Sequence, residues 1–492
     1  MKNKLAILII LISMLSLPLS ACGPTPTLNP THIPLPTNSP VPPTPTLLPT
    51  ATEISLPALT LKQGDFYFSL DGKQSFIFSR NVAGYQLIDY DTFLDWAKAG
   101  GSKFVRIQLD SLGMGYTIAG DVDPTWIAQW DQVFDKAGAD GIYILPVFSG
   151  WFDWNAGTGY STWKSNPLNQ ANGGPVQSPG ELFQKGSAAQ TLWLNWMKAL
   201  VMHWQGRKDI LAWEIFSEVN LASGTTESNG IDFINTAASI IRANDSSKRP
   251  VTASLADTGL WPDFYKNTSI DFINLHPYPP SAQLDRTVIS EVRNSLNTYK
   301  RPLLIGESGL NAATPDSAEG KITIAQNAQI GAQHAIWAAM VSGAMNGRAL
   351  YWEDSFGIYF PNLGIPWMQK YETEELPAAN FVNGVDFSGF KPLEVTTSSD
   401  VWGAAVGNES SMLGWFRDAG SEPPDWNLRP IISKQSVKIT IPSSAANWKV
   451  GFYNTKDGTT VLSSNSVSAT GNTITIPLPD FRDDIAFKAY AQ

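Results

Sequence analysis

Residues 210–220 read ILAWEIFSEVN. The stretch begins as a continuous apolar run, Ile210, Leu211, Ala212 and Trp213, and turns polar within a few residues at Ser217, Glu218 and Asn220. An apolar run of this length, rich in β-formers, suits a strand buried on both faces, as in a parallel sheet. A carboxylate just past the C-terminal end of such a strand lies where α/β barrels place their chemistry. A second stretch ends in the same way: Leu303-Leu304-Ile305-Gly306-Glu307-Ser308-Gly309 is another short apolar run closing on a glutamate.

Working outward, β and α patterns alternate. Phe66–Phe78 reads as a hairpin turning at Asp71-Gly72, a strong turn dipeptide. Strands are expected at 104–108, 142–147, 210–216, 251–254, 272–275, 303–305 and 349–352, with helices at 91–99, 124–137, 188–204, 231–243, 287–296 and 323–342. Counted from Ile77, this makes eight strands, the signature of a (β/α)8 TIM barrel in the α/β class. The barrel is expected over residues 59–392. Beyond it, over 393–492, short β-rich runs recur with no helical pattern between them, which predicts a smaller all-β sandwich domain. Trp402, Trp415, Trp426 and Trp448 are expected mostly in its core. Two loops that follow strands are rich in aromatics. One, from 149 to about 185, holds Trp151, Phe152, Trp154, Tyr160 and Trp163; the other holds Phe356, Tyr359, Phe360, Trp367 and Tyr371. Either they line a cleft or they form small cores of their own.

The chain has 492 residues, with 43% hydrophobic and 16% charged, which describes a globular protein with ample core. A net charge of −10 argues against nucleic acid as a partner. The N-terminus has a basic start at Lys2 and Lys4 and an apolar run too short to span a bilayer comfortably. Leu19-Ser20-Ala21-Cys22 follows. Small residues before a cysteine resemble the bacterial lipoprotein processing signal over residues 1–22, so Cys22 is the expected lipidation site and membrane anchor. Localisation is then extracytoplasmic, on the cell surface. Residues 23–58 form a Pro/Thr-rich tether; eleven of the 34 prolines fall between Cys22 and Thr60, a composition that favours extended chain. Cys22 is the single cysteine, which leaves no disulfide, and the four scattered His show no metal-ligand spacing, so neither a metal nor another cofactor is expected.

Two glutamates on two strand ends of one sheet suit glycoside hydrolysis. With retention, one carboxylic acid protonates the leaving oxygen and a carboxylate about 5 Å away attacks the anomeric carbon. One must be protonated while the other is ionised, so their surroundings must differ. Arg106 could hold one carboxylate ionised by a bidentate contact, or be a salt bridge within the barrel. His276 and Tyr278, in INLHPYP, end another strand. The tyrosine hydroxyl is placed to lower a carboxyl pKa, and the histidine to orient the acid or bond a sugar hydroxyl. Trp352, with Trp151 and Trp154 in the first aromatic loop, offers platforms for sugar rings. His203 and His334, within helix patterns, are expected to be structural.

WEIFSEVN, followed by LHPY and LIGESG, resembles the clan A retaining glycoside hydrolases, nearest to family 5 with its cellulase-like and mannanase relatives. The order of Arg106, Glu218, His276, Tyr278, Glu307 and Trp352 along the chain carries the resemblance, as does a stretch containing Asn166-Pro167 and Asn172–Pro175. It implies Glu218 as acid/base and Glu307 as nucleophile, acting on a β-linked glucan or mannan, with no cofactor and as a monomer. One departure stands out. The family has Asn immediately before the acid/base, where it bonds the sugar 2-hydroxyl; here the residue is Ser217. The competing expectation is a carbohydrate-binding lipoprotein whose catalysis is weakened at Ser217.

Overall fold

The computed structural model describes residues 56–57, 59–82, 89–157, 162–279, 281–310, 327–349 and 374–492. The signal segment, Cys22 and nearly all of the tether lie outside these, as do Tyr160, Trp352 and the second aromatic loop. Among the described residues no helix is long and apolar enough to cross a membrane.

The chain enters through a small antiparallel sheet, β1 (Leu59–Thr60), β2 (Phe68–Leu70) and β3 (Lys73–Ser75). The β2–β3 turn is made by Asp71 and Gly72, both at positive φ, as a two-residue hairpin turn requires. Phe68 meets Phe272 edge-on with ring centroids 5.9 Å apart. It joins Ile77, Phe104, Tyr143, Leu145, Leu211, Leu304 and Met345 in one buried apolar cluster. These residues come from the beginnings of barrel strands or just before them, so the small sheet seals the N-terminal mouth of the barrel.

The barrel strands are β4 (Ile77–Val82), β5 (Phe104–Gln108), β6 (Tyr143–Gly150), β7 (Trp213–Ser217), β8 (Val251–Thr252), β9 (Ile273–Leu275), β10 (Leu303–Ile305) and β11 (Asn346–Gly347). Parallel ladders run β11-β4-β5-β6-β7-β8 and β10-β9. A single bridge, Ser254 to Asn274, spans β8 to β9. Between β10 and β11, Met345 N–H donates to the Leu303 carbonyl at 2.8 Å, and the Asn346 amide bonds both the N–H and the carbonyl of Ile305. All eight strands thus stand in barrel order. The last of these was not among the expected strands; it lies at Asn346–Gly347, while residues 350–352 of the strand expected at 349–352 lie outside the described residues. Its polar Asn and its Gly hide it from a search for apolar runs, and Asn346 bonds β10 with its side chain.

The helices follow local rules. α1 (Tyr90–Gly100) is capped by the Asp89 carboxylate and ends at Gly101 in the left-handed region. α2 (Pro124–Ala139) has Asp123 as N-cap and Pro124 in its first turn. α3 (Ala188–Trp204) starts behind Ser187 and α4 (Glu227–Asn244) behind Thr226 in a capping box. After a short α5 (Phe264–Asn267), α6 (Leu284–Tyr299) and α7 (Ala328–Met340) pack together, and α8 (Leu376–Val382) leads out of the barrel.

The C-terminal strands form one nine-stranded antiparallel sheet folded around its own core, which includes Val437, Ile439, Trp448, Val450, Phe452 and Phe487. Its first strand, Lys391–Leu393, begins just before the expected domain start. Barrel and sandwich form one compact unit from Leu56 to Gln492. Trp415, Trp426, Leu413 and Ala486 belong to the barrel's apolar cluster, and Trp426 lies against Gly331 of α7. Arg286 and Arg417 sit over the ring of Trp402. Of the four tryptophans only Trp448 is in the sandwich core; the other three serve the seam with the barrel.

Candidate active site

Glu218 follows β7 and takes a left-handed backbone, φ 55 and ψ 50. The turn ends the strand and lifts the carboxylate into the mouth of the barrel. Its N–H donates to Ser254 Oγ at 3.0 Å, and Ser254 Oγ in turn donates to Glu214 Oε1 at 3.0 Å. Glu307 stands two residues past β10. His276, just past β9, brings Nδ1 to 2.8 Å from Glu218 Oε1 and 3.7 Å from Glu307 Oε2. Tyr278 OH donates to Glu307 Oε2 at 3.0 Å. One oxygen of each glutamate and a ring nitrogen of His276 all lie within 4.8 Å of one another.

Arg106 is the hub beneath them. It lies in the middle of β5 and is fully buried. Its Nε and Nη2 bind Glu214 at 2.6 and 2.7 Å, its Nη1 binds Glu307 Oε1 at 2.7 Å and Asn81 Oδ1 at 2.9 Å, and Nη2 also donates to Ser217 Oγ at 2.9 Å. The bidentate contact goes to Glu214, not to either strand-end glutamate. Burial opposes the guanidinium charge, but Glu214 and Glu307 outweigh it and hold Arg106 charged. At Glu307, burial pushes the pKa up, while His276, the Arg106 guanidinium and the Tyr278 hydroxyl pull it down; the net shift is downward. Glu307 is therefore poised as an ionised carboxylate. Glu218, by contrast, is met by the His276 ring rather than by a guanidinium.

The structure gathers Arg106, Ser217, Glu218, His276, Tyr278 and Glu307 in one place. Ser217 is 1% exposed and its Oγ accepts from Arg106 Nη2, so it supports the hub. One expectation needs correcting. Trp154 is fully buried and packs on Trp163 with centroids 5.6 Å apart. Both rings join the barrel's main apolar cluster, so Trp154 is core and not a sugar platform. Trp151 remains half-buried, stacked on Phe152 at 4.1 Å. Trp352 lies outside the described residues. His203 bonds Asp131 at the surface and His334 bonds Asp483 in the interior, both at a distance from this chemistry in the fold.

Glu214 is the functional residue that the sequence reading passed over. Its signal was present: a glutamate inside the apolar run AWEIF can be buried only with a partner, and Arg106 inside FVRIQ is the matching buried cation. Among the described residues, Glu218, His276 and Glu307 are the donor set able to converge on a metal ion. The His276–Glu218 hydrogen bond and the guanidinium on Glu307 account for the same atoms without one.

A family model described as cellulase (glycosyl hydrolase family 5) matches residues 68–343. No curated protein sequence matches the chain. Among solved structures, the chain is similar to a protein from Bacteroides vulgatus described as a glycoside hydrolase, with 11% identity and a TM-score of 0.52 over 88% of this chain and 82% of that one. It is also similar to a glycoside hydrolase family 30 subfamily 8 xylanase from Clostridium acetobutylicum, with 14% identity and a TM-score of 0.49 over 85% and 97%. A β-1,4-D-mannanase from Cryptopygus antarcticus gives 16% identity and a TM-score of 0.44 over 64% and 94%. At such identities the first of these likenesses speaks for the fold alone.

Proposed function

We propose that this chain, which belongs to glycosyl hydrolase family 5, is a retaining glycosidase that cleaves a β-linked polysaccharide, a β-glucan or β-mannan, from within the chain. The observation that carries this reading is the pair Glu218 and Glu307, whose facing oxygens fall within the 4.8 Å cluster. That spacing suits a carboxylate attacking the anomeric carbon directly, and leaves no room for the intervening water of an inverting mechanism. Glu307, bonded by Arg106 and Tyr278 and held below its ordinary pKa, is the nucleophile. Glu218 is the acid that protonates the leaving oxygen and later the base that activates water, with His276 setting its orientation. Trp151 and Trp352 are the proposed sugar platforms, the latter on its place in the sequence.

Lipid anchoring at Cys22 and a cell-surface location are part of the same proposal, supported by the processing pattern in the sequence. Loss of membrane association in Cys22→Ala would support anchoring; unchanged fractionation would remove it. Catalysis is tested by reducing-sugar release from β-glucan, β-mannan and xylan, with wild type beside Glu307→Ala. Release from one polymer that disappears in the variant supports the reading. Binding without release from any polymer favours the second reading, a sugar-capturing protein with weakened catalysis. That alternative has one observation in its favour: Ser217 is 1% exposed and its Oγ already accepts from Arg106. A rise in kcat/KM in Ser217→Asn would support weakened catalysis, and no gain would support an altered substrate at the reacting subsite.

A further inference from the structure

Gln108 closes β5 and is 2% exposed. Its Nε2 donates to Glu307 Oε1 at 3.2 Å, which makes it a third hydrogen-bond donor to that carboxylate beside Arg106 and Tyr278. Its own Oε1 is buried with no donor, and two residues on, Asp110 Oδ1 is also buried with no donor. Both side chains face Gly150 at the end of β6. A Cβ there would stand 3.2 Å from Gln108 Oε1 and 3.8 Å from Asp110 Oδ2. Gln108 Oε1 and the Asp110 carboxyl thus lie against the same glycine, and a buried acceptor such as Gln108 Oε1 calls for a hydrogen. Turning the Gln108 amide over does not supply one without loss, because its oxygen would then face the Glu307 carboxylate, which only accepts.

The surrounding charges point the same way. Asp110 is faced by Arg106 of β5, by Glu307 past β10, by Asp153 from the loop after β6, and by the phenols of Tyr90 and Tyr116. Tyr90 is hydrogen-bonded to Ser111, and Tyr116 accepts from Asn166 Nδ2 at 3.0 Å. Glu214 and Glu307 bond the Arg106 guanidinium, Asp110 lies in its field, and Asp153 faces Asp110 in turn. Holding all four as anions beside one cation is unfavourable.

We propose that Asp110 is a positioning residue that works as a neutral acid: its carboxyl proton is donated to Gln108 Oε1, and the Gln108 amide, fixed in that orientation, donates to Glu307. The proposal rests on the reading of Glu307 as nucleophile. Burial pushes Asp110 up to about 6, against the pull of Arg106 and with a further push from Glu307. Above that pH the proton leaves, Gln108 loses its partner, and the nucleophile gains a charged neighbour.

Asp110→Asn keeps a donor for Gln108 and cannot ionise; Asp110→Ala keeps neither shape nor donor. Asp110→Asn is expected to hold kcat/KM within about 3-fold of wild type below pH 6 and to lack the part of the fall above pH 6 that Asp110 causes. Asp110→Ala is expected to lower kcat by about 10-fold, the worth of one hydrogen bond at a charged group, with KM little changed. Thermal melts read the same proton without catalysis. An acid whose pKa is raised by folding weakens the fold as pH rises past the unfolded carboxylate value and through the folded one. The Tm of Asp110→Asn relative to wild type should therefore climb by about 2–3 °C between pH 4 and pH 8. A Tm difference independent of pH, or an Asn variant as impaired as the Ala variant at every pH, overturns the proposal. If wild type hydrolyses no glycan while the Tm difference still grows with pH, the nucleophile reading falls and the neutral Asp110 stands.

Discussion

Replacing Arg106 by lysine tests the centre of the mechanism. Arg106 makes five contacts with four partners: two to Glu214, and one each to Glu307, Asn81 and Ser217. A lysine has three donors from one point and no planar fork. It can approach Glu214 or Glu307, but it cannot bridge them as the guanidinium does. Glu214 is fully buried and, among the described residues, has the Ser254 hydroxyl as its other hydrogen-bond partner, so it is the costlier group to leave unpaired and should claim the ammonium. Glu307 then loses one charge-assisted hydrogen bond, about 1.5–3 kcal/mol. That corresponds to roughly a 10- to 150-fold fall in kcat/KM where the nucleophile must be ionised. Since Arg106 also lowers the Glu307 pKa, the acid limb of the kcat/KM profile should move to higher pH. The assay is initial rate against pH on a soluble β-glycan, with circular dichroism to confirm folding. A folded variant whose acid limb stays in place would refute the reasoning, because Arg106 would then be only a structural brace.

Glu218→Ala should lose most activity on polysaccharide but retain release of an acidic phenol from an aryl β-glycoside, since such a leaving group needs no proton; equal loss on both substrates would count against the acid/base role. Glu375, fully buried between Arg80 and Arg348 and bonded by Ser102, should cost about 3–5 kcal/mol when changed to Gln, seen as a lower denaturation midpoint in urea. At the barrel–sandwich seam, burial pushes Asp483 up, but His334 and Lys456 outweigh it and leave it lowered to about 2. A carboxyl depressed by folding contributes stability above its unfolded pKa and loses it as pH falls through the folded one. Asp483→Asn should therefore be less stable than wild type by about 2 kcal/mol at pH 6, with the gap closing toward pH 2, as followed by thermal melts.

Much of this was legible in the sequence because the barrel writes itself in alternating patterns. α3 and β10 stand on the residues expected, and the glutamates past β7 and β10 meet as their strand-end positions require. What escaped had physical reasons. β11 is two residues long and polar, so apolar periodicity is blind to it. Trp154 and Trp151 are three residues apart in one loop, and only the fold of that loop decides which ring is interior. Ser217 precedes the proposed acid/base in sequence, yet the left-handed turn at Glu218 separates the two side chains, one to Arg106 and one to His276. The tryptophans of the last hundred residues mark aromatic mass, and the pairing of two domains, not the strand pattern, determines which surface they cover.

That left-handed turn has an evolutionary consequence. A side chain with a Cβ is held at φ 55 against a preference of about 1–2 kcal/mol, while glycine adopts this backbone freely and asparagine more readily than glutamate. The proposed acid thus occupies a position where local backbone preference favours other residues. Selection of this chain for heat resistance alone would drift toward Gly or Asn at 218, and its survivors would be well-folded barrels that still cradle sugar and no longer cut it.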